Sequence, residues 1–289
     1  MANIDRRNFL RTSAAGAAFL AAAPYAIGKS GGGYLSYGGM PLEKGTFFQA
    51  GVADGSLSMP EAVDASKLSE SVARSWFDDS CGAAPAQGRT VPAVGKAAGY
   101  SWLKAPRYDG KPCEVGPLAR VLVGYAGGVG GGASGVKKAV DAALGELKAR
   151  PEALFSVLGR HAARAIECKL VADALDGWVL SLKPGEPHCA EFKIPEEAAG
   201  MGLTEAPRGS LGHWVKIEGK KIANYQLVVP TTWNASPRDE KGTPGPMEQA
   251  ILGTKVASEA SPVEVMRIVR SFDPCLACAV HAVSVRGAR

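Results

Sequence analysis

The sequence predicts an α+β fold, dominated by helices and carrying one β-hairpin. Three observations predict it. From Pro151 to Leu175 apolar residues recur at helical spacing (Leu154, Leu158, Ala165, Ile166, Leu170), which makes this the longest expected helix. Trp214–Ile217 and Ile222–Val229 flank Glu218-Gly219-Lys220, the pattern of two strands joined by a tight turn. Ser58-Met59-Pro60-Glu61 and Ser261-Pro262-Val263-Glu264 each read as a capping box with proline just inside a helix start. The first is expected to open a helix reaching Trp76. The second is expected to open a helix through Val269 that delivers the chain to Asp273-Pro274-Cys275.

The remaining segments connect these elements. Gly31 to Gly33 form a joint, Cys81 to Gly99 is a Gly/Pro/Ala-rich loop, and the glycine cluster Gly127–Gly135 contains Ser134, a candidate helix cap. His161 and Cys168 fall within the long helix and read as surface or packing residues. No repeat and no transmembrane span is evident. With 289 residues, 46% of them hydrophobic and 21% charged, the chain can bury a substantial core. The net charge of +5 is small and no basic run is interleaved with aromatics, which excludes nucleic acid as an expected partner.

Residues 1–28 read as an export signal. Asp5-Arg6-Arg7-Asn8-Phe9-Leu10-Arg11 resembles the twin-arginine pattern, and the Ala-rich stretch Thr12–Ala23 is shorter than the roughly 20 apolar residues a membrane-crossing helix needs. Small residues from Ala21 to Ala26 offer a cleavage site. Twin-arginine export carries folded proteins, the usual reason being a cofactor inserted in the cytoplasm. The expected location is therefore periplasmic.

Chemistry concentrates in Asp273-Pro274-Cys275-Leu276-Ala277-Cys278-Ala279-Val280-His281. Two thiols three residues apart can face one metal, and thiolates suit nickel, iron, zinc and copper(I) over magnesium or calcium. Taken alone, the pair fits half of a zinc site with His281 as third ligand, a redox pair, or no site. Cys81, Cys113, Cys168 and Cys189 are scattered and read as small buried hydrophobes or plain thiols.

Three further segments bear on that choice: Tyr100-Ser101-Trp102-Leu103-Lys104-Ala105-Pro106-Arg107-Tyr108, running on to Glu114-Val115-Gly116-Pro117-Leu118-Ala119-Arg120; Glu205-Ala206-Pro207-Arg208-Gly209-Ser210-Leu211-Gly212-His213-Trp214; and Tyr225 through Pro230-Thr231-Thr232-Trp233-Asn234 to Asp239. Together with Tyr34-Leu35-Ser36-Tyr37-Gly38 and the C-terminal D-P-C-x-x-C-x-x-H, they resemble the nickel–iron hydrogenase large subunit, in that family's order, from about residue 33 onward.

The resemblance implies roles for particular residues. Cys275 would be a terminal thiolate on nickel, and Cys278 would bridge nickel to an iron carrying carbon monoxide and cyanide. Arg208 would lie over the metals and donate to a cyanide or hold a proton, with Pro207 shaping the same roof. Pro230 and Thr231, the latter at the end of the second hairpin strand, would face the other cyanide, and Asp273 would hold Arg208. His281 and the backbone carbonyl of Leu227 would help bind magnesium. Read from the residues alone, Arg208 is an ion-pair partner, Asp273 a helix terminator and Thr231 a strand residue. Lys104, Arg107, Glu114 and Arg120 read as buried or subunit-facing ion pairs.

The chain also departs from the family. The centre takes four thiolates, and the N-terminal pair, in an R-x-C-G-x-C context, is missing, because no C-x-x-C precedes Cys275. The expected organisation is a signal over 1–28, a C-terminal part of the large-subunit domain over 29–281, and a maturation peptide over 282–289 removed by a dedicated protease. The implied activity is reversible splitting of dihydrogen, with a cysteine thiolate or Arg208 taking the proton. Implied partners are an iron–sulfur small subunit and a chain supplying the missing thiolates, and any membrane association would run through them. The alternatives are a non-catalytic hydrogenase-like assembly protein, or a zinc or thiol protein built on Cys275, Cys278 and His281.

Overall fold

Strands rather than long helices shape the first third of the described chain, and β1, the first of them, buries six consecutive positions. The computed structural model describes residues 28–42, 45–128, 135–187, 189 and 191–279, so the leader before Gly28, the Ser134 cap and the 282–289 tail lie outside the described residues. Strands Gly33–Pro41 (β1) and Thr46–Ala53 (β2) pair antiparallel, with Tyr34 opposite Ala53 and Gly39 opposite Phe48. Leu68–Ser71 (β3) pairs antiparallel with Ala105–Tyr108 (β4), and Cys113–Val115 (β5) joins β1 in parallel. Three helices follow: Pro117–Ala126 (α1), Val136–Leu147 (α2) and Val157–Leu180 (α3). Next come Glu197–Ala206 (β6), Gly209–Glu218 (β7) and Lys221–Val228 (β8), an antiparallel meander. Four short helices end the described chain: Pro230–Asn234 (α4), Pro246–Ile251 (α5), Val263–Ser271 (α6) and Leu276–Ala279 (α7). Among the described residues no helix is long and apolar enough to cross a membrane.

The α+β class holds, and the expected hairpin is β7–β8, extended by β6 on its outer side. The helix expected over Ser58–Trp76 does not form. Asp54 accepts from Ser56 N–H (2.9 Å) and Ser56 Oγ (2.5 Å), so a local turn captures the serine that would lead into a cap. Glu61 instead bonds Val52 through both backbone groups at 2.9 Å. Beyond it Leu68, Glu70 and Val72 are buried at every second position, the period of a strand. The long helix exists but starts at Val157, capped by Ser156 Oγ on Gly159 N–H (3.0 Å), and runs to Leu180. A 3₁₀ turn occupies Pro151–Leu154. The helix expected after Ser261 is α6, although no side chain caps it.

Two cores meet across β1. Tyr34, Phe48, Leu122, Val140 and Phe155 pack β1 and β2 against α1, α2 and α3, while Leu35, Tyr108, Val115, Trp214, Val228 and Trp233 pack the same strand against the meander and α4. Each such side chain contributes about 1.5–3 kcal/mol when fully buried. Residues expected as ion pairs turn out to be buried and paired: Lys104 with Glu70 (3.4 Å) and Arg107 with Asp239 (2.8 Å). Arg160 of α3 grips Glu114 of β5 through two bonds of 2.7 and 2.8 Å and lies 3.7 Å from the Phe272 ring, tying α6 to the core.

Breaking a buried pair from one side leaves a charge without its counterion, at a cost of about 3–5 kcal/mol. Arg160→Met should therefore lower the urea midpoint sharply, and Arg160→Met with Glu114→Leu should recover much of the loss. A double variant no more stable than the single would contradict this reading of the pair.

Candidate metal site

The turn Pro207-Arg208 joins β6 to β7 and is held from below by one buried guanidinium. Arg120 of α1 donates from Nη1 to the Ala206 carbonyl (3.0 Å) and from Nη2 to the Pro207 carbonyl (2.9 Å). The same group pairs with Glu205 (2.6 Å) and with Glu167 of α3. Burial alone would lower the affinity of Arg120 for its proton, and the two carboxylates more than restore it, so it stays charged. Burial pushes the Glu205 carboxyl up, and Arg120 offsets only part of that. Glu205 also accepts from Tyr37 N–H (2.8 Å) and Ser210 Oγ (2.6 Å), locking the turn to β1 and β7. The turn fits tightly. Gly209 has φ +137°, and a Cβ there would lie 2.6 Å from Gly116 N, so only glycine suits the position.

Facing the turn is the end of α6. Asp273 closes that helix in the left-handed region (φ +52°), where Asp is among the few non-glycine residues tolerated, and donates its N–H to the Arg270 carbonyl (3.0 Å). Its reading as a helix terminator is correct, and it also meets Arg208. Arg208 Nε lies 3.0 Å from the Asp273 carbonyl oxygen and 3.2 Å from Oδ2. Both side chains are partly exposed (43% and 46%), so the pair contributes at most about 1 kcal/mol.

Pro230 and Thr231 open α4, so Thr231 is helical and does not end the hairpin strand as the sequence suggested; β8 stops at Val228. Proline at the first helical position, with φ already set, forces that change. Thr231 is buried, and its Oγ1 accepts from the Cys275 N–H at 3.1 Å. Asn234, in the same turn, exchanges bonds of 2.9 and 3.0 Å with the Val115 backbone and anchors α4 to β5. Cys275 is half-buried and opens α7. Cys278 lies in α7, but its side chain and all of His281 fall outside the described residues. Leu227 sits in β8 opposite His213, on the strand leading into Pro230, with its side chain exposed.

The structure thus brings together Pro207, Arg208, Thr231, Asp273 and Cys275. Among the described residues, no group of three or more His, Cys, Asp or Glu side chains converges on a common point. A cleft of about 440 Å³ opens beside the turn, lined by Met40, Phe48, Arg120, Cys168, Pro207 and Asp273. Cys113 is buried and its thiol pushed up to about 12 by desolvation, which keeps it protonated and unreactive. Sequence reasoning expected Arg120 to be paired but not its grip on the turn. The available signal was Arg160, Arg164 and Glu167 at helical spacing, a charged stripe on one face of α3.

A family model described as nickel-dependent hydrogenase matches residues 7–281, starting well before the motifs from residue 33 onward. The uptake hydrogenase large subunit of Rhodobacter capsulatus is 40% identical over 91% of this chain and 50% of its own length. The periplasmic NiFeSe hydrogenase large subunit of Desulfomicrobium baculatum is 43% identical over 77% of this chain and 44% of its own. A solved structure of the H2-activated Dm. baculatum NiFeSe hydrogenase is 37% identical with a TM-score of 0.78, covering 97% of this chain and 62% of that one. The chain spans about half the length of the curated relatives it matches. With its motifs gathered at one site and its sequence matched almost end to end, this chain belongs to the nickel-dependent hydrogenase family.

Proposed function

We propose that this chain is the C-terminal half of a nickel–iron hydrogenase large subunit and takes part in reversible dihydrogen oxidation as one component of a complex. The observation that carries this reading is the convergence of three separate motifs, in which Arg208 meets Asp273 and Thr231 bonds Cys275. The donor set fits half of a nickel–iron centre: Cys275 and Cys278 are two soft ligands on one short turn, of the four thiolates the family's centre takes. Cys275 and Cys278 would hold a nickel–iron centre whose iron carries carbon monoxide and cyanide. The centre, when bound, supplies the two-electron redox chemistry.

The chain's own residues do the rest. Asp273 holds the Nε side of Arg208, leaving the outer guanidinium edge to donate to a cyanide or hold a proton above the site. Because Thr231 Oγ1 accepts from the Cys275 N–H, its own proton is directed away from that bond and would donate to the second cyanide of the centre. Pro207 and Pro230 stiffen the two backbones that present these groups. A cysteine thiolate or Arg208 would take the proton released from dihydrogen. The Leu227 carbonyl and His281 would contribute to a magnesium site.

A second polypeptide carrying the R-x-C-G-x-C pair completes the ligand set, and an iron–sulfur small subunit accepts the electrons. The Arg6-Arg7 leader directs the product to the periplasm, and a protease trims the chain after His281. The missing thiolate pair favours one competing reading, a non-catalytic family member that keeps the docking surfaces.

In the assembled complex Cys275→Ala should abolish nickel retention, read by metal analysis of the purified complex; nickel at the wild-type ratio would remove Cys275 from the ligand set. Arg208→Lys should leave metal content unchanged and lower turnover about a hundredfold, because an ammonium cannot keep the planar two-sided geometry. Unaltered turnover with normal metal would remove Arg208 from the chemistry.

A further inference from the structure

Helix α3 turns an apolar stripe to solvent. One side of the helix is buried at Gly159, Arg160 and Ala163. On the opposite side Leu158, Ala165, Cys168, Ala172, Leu175 and Val179 are all exposed, at the three- and four-residue spacing of a single helix face. His161 is the only polar member of that stripe. Leu175 is 48% exposed and Val179 62%. A surface helix normally turns its charges outward, but α3 keeps Lys169, Asp173 and Asp176 along one edge of the stripe. Arg164, at the other edge, is drawn to the Ser271 carbonyl (3.1 Å).

Position and charge point to what covers the stripe. Gly28 is buried against the first turn of α3, where a Cβ would lie 2.9 Å from Val157 Cγ2 and 3.4 Å from Arg160 Nη1. Residues 1–27 therefore join the fold beside the N-terminal end of the stripe. Within them, Ala14–Ala23 holds only Ala, Gly, Phe and Leu. As a helix, Thr12–Ala23 would span about 18 Å of the roughly 32 Å between Leu158 and Val179. The small residues Ala165, Cys168 and Ala172 let an Ala-rich segment come close. Laid back along α3 from Gly28, the segment runs antiparallel to it and carries Arg11, Arg7 and Arg6 to its C-terminal half. Asp173 and Asp176 are exposed there, and the C-terminal end of a helix itself favours cations.

We propose that the outer face of α3 is the docking surface for the chain's own N-terminal segment, with Phe19 and Leu20 against the stripe and Arg6, Arg7 and Arg11 beside Asp173 and Asp176. Docking removes from water apolar surface that would otherwise stay hydrated on both sides. Cys168, Ala172 and Leu175 also line the cleft beside the Pro207–Arg208 turn, together with Pro207 and Asp273. A docked segment therefore lies at the mouth of that cleft, and the arginine pair is held against the body of the protein. The docking stands on the entry point, the stripe and the charges, and needs neither the export reading nor the metal assignment.

The test alkylates Cys168, an exposed thiol in the middle of the stripe, with N-ethylmaleimide and reads that one site by peptide mass. The full chain is used, purified with residues 1–27 intact. In wild type the reaction should run about tenfold or more below that of a peptide thiol, because only the undocked fraction reacts. Phe19→Glu with Leu20→Glu, both ahead of the described fold, should raise the rate about tenfold while the melting temperature holds. Asp173→Arg with Asp176→Arg should raise it too, and adding Arg6→Asp with Arg7→Asp should slow it again. Arg6→Lys with Arg7→Lys keeps both charges and should leave Cys168 protected even where export is lost, which separates docking from export. A wild-type rate equal to the peptide's, or a rate untouched by the Phe19 and Leu20 substitutions, would overturn the proposal. So would protection that rises with protein concentration, since a second copy would then cover the face. A rate unaffected by the charge reversal would overturn the antiparallel placement of the arginines.

Discussion

The candidate site depends on Arg120. Its buried guanidinium holds two carboxylates, themselves little exposed, and two turn carbonyls at once. A network of this kind adds little net stability, because desolvating three charges offsets most of their attraction. What it contributes is position. The Arg208–Asp273 pair is exposed and weak, and could not hold a loop in one geometry by itself. The buried ions set that geometry, and the exposed pair is where it is used.

Helix α3 supplies the frame for both sides of the site. Glu167 reaches Arg120 beneath the Pro207–Arg208 turn, while Arg160 stacks on Phe272 and Arg164 donates to the Ser271 carbonyl (3.1 Å) just before Asp273. One face of one helix therefore fixes the distance between Arg208 and Asp273. Thr231 adds the third constraint by accepting from the Cys275 backbone N–H.

Much of this was legible in the sequence, for identifiable reasons. The long helix and the β7–β8 hairpin showed because their apolar periods are uninterrupted, and the C-terminal thiol pair showed because its spacing is chemically narrow. Strand β3 was hidden because its buried middle residue is Glu70, a charge whose partner Lys104 lies 34 residues on. The serine before Glu61 looked like a cap because a local sequence cannot reveal that Asp54 already holds the neighbouring turn. Strand β6 was missed because Gly200 and Gly202 break its pattern, and Thr231 read as strand because the hairpin's apolar run continues to Pro230. The partners of Arg120 lie 47 and 85 residues away, a distance no periodicity spans.

Amide hydrogen exchange across Glu205–Gly212 tests the role of Arg120 most directly. Arg120→Lys keeps one charge but cannot reach both carboxylates and both carbonyls. The turn amides should then exchange about tenfold faster or more, equivalent to roughly 1.4 kcal/mol, with α2 protection unchanged and with Arg208→Lys behaving like wild type. Turn protection in Arg120→Lys equal to that of wild type would contradict the claim that this buried arginine positions the site.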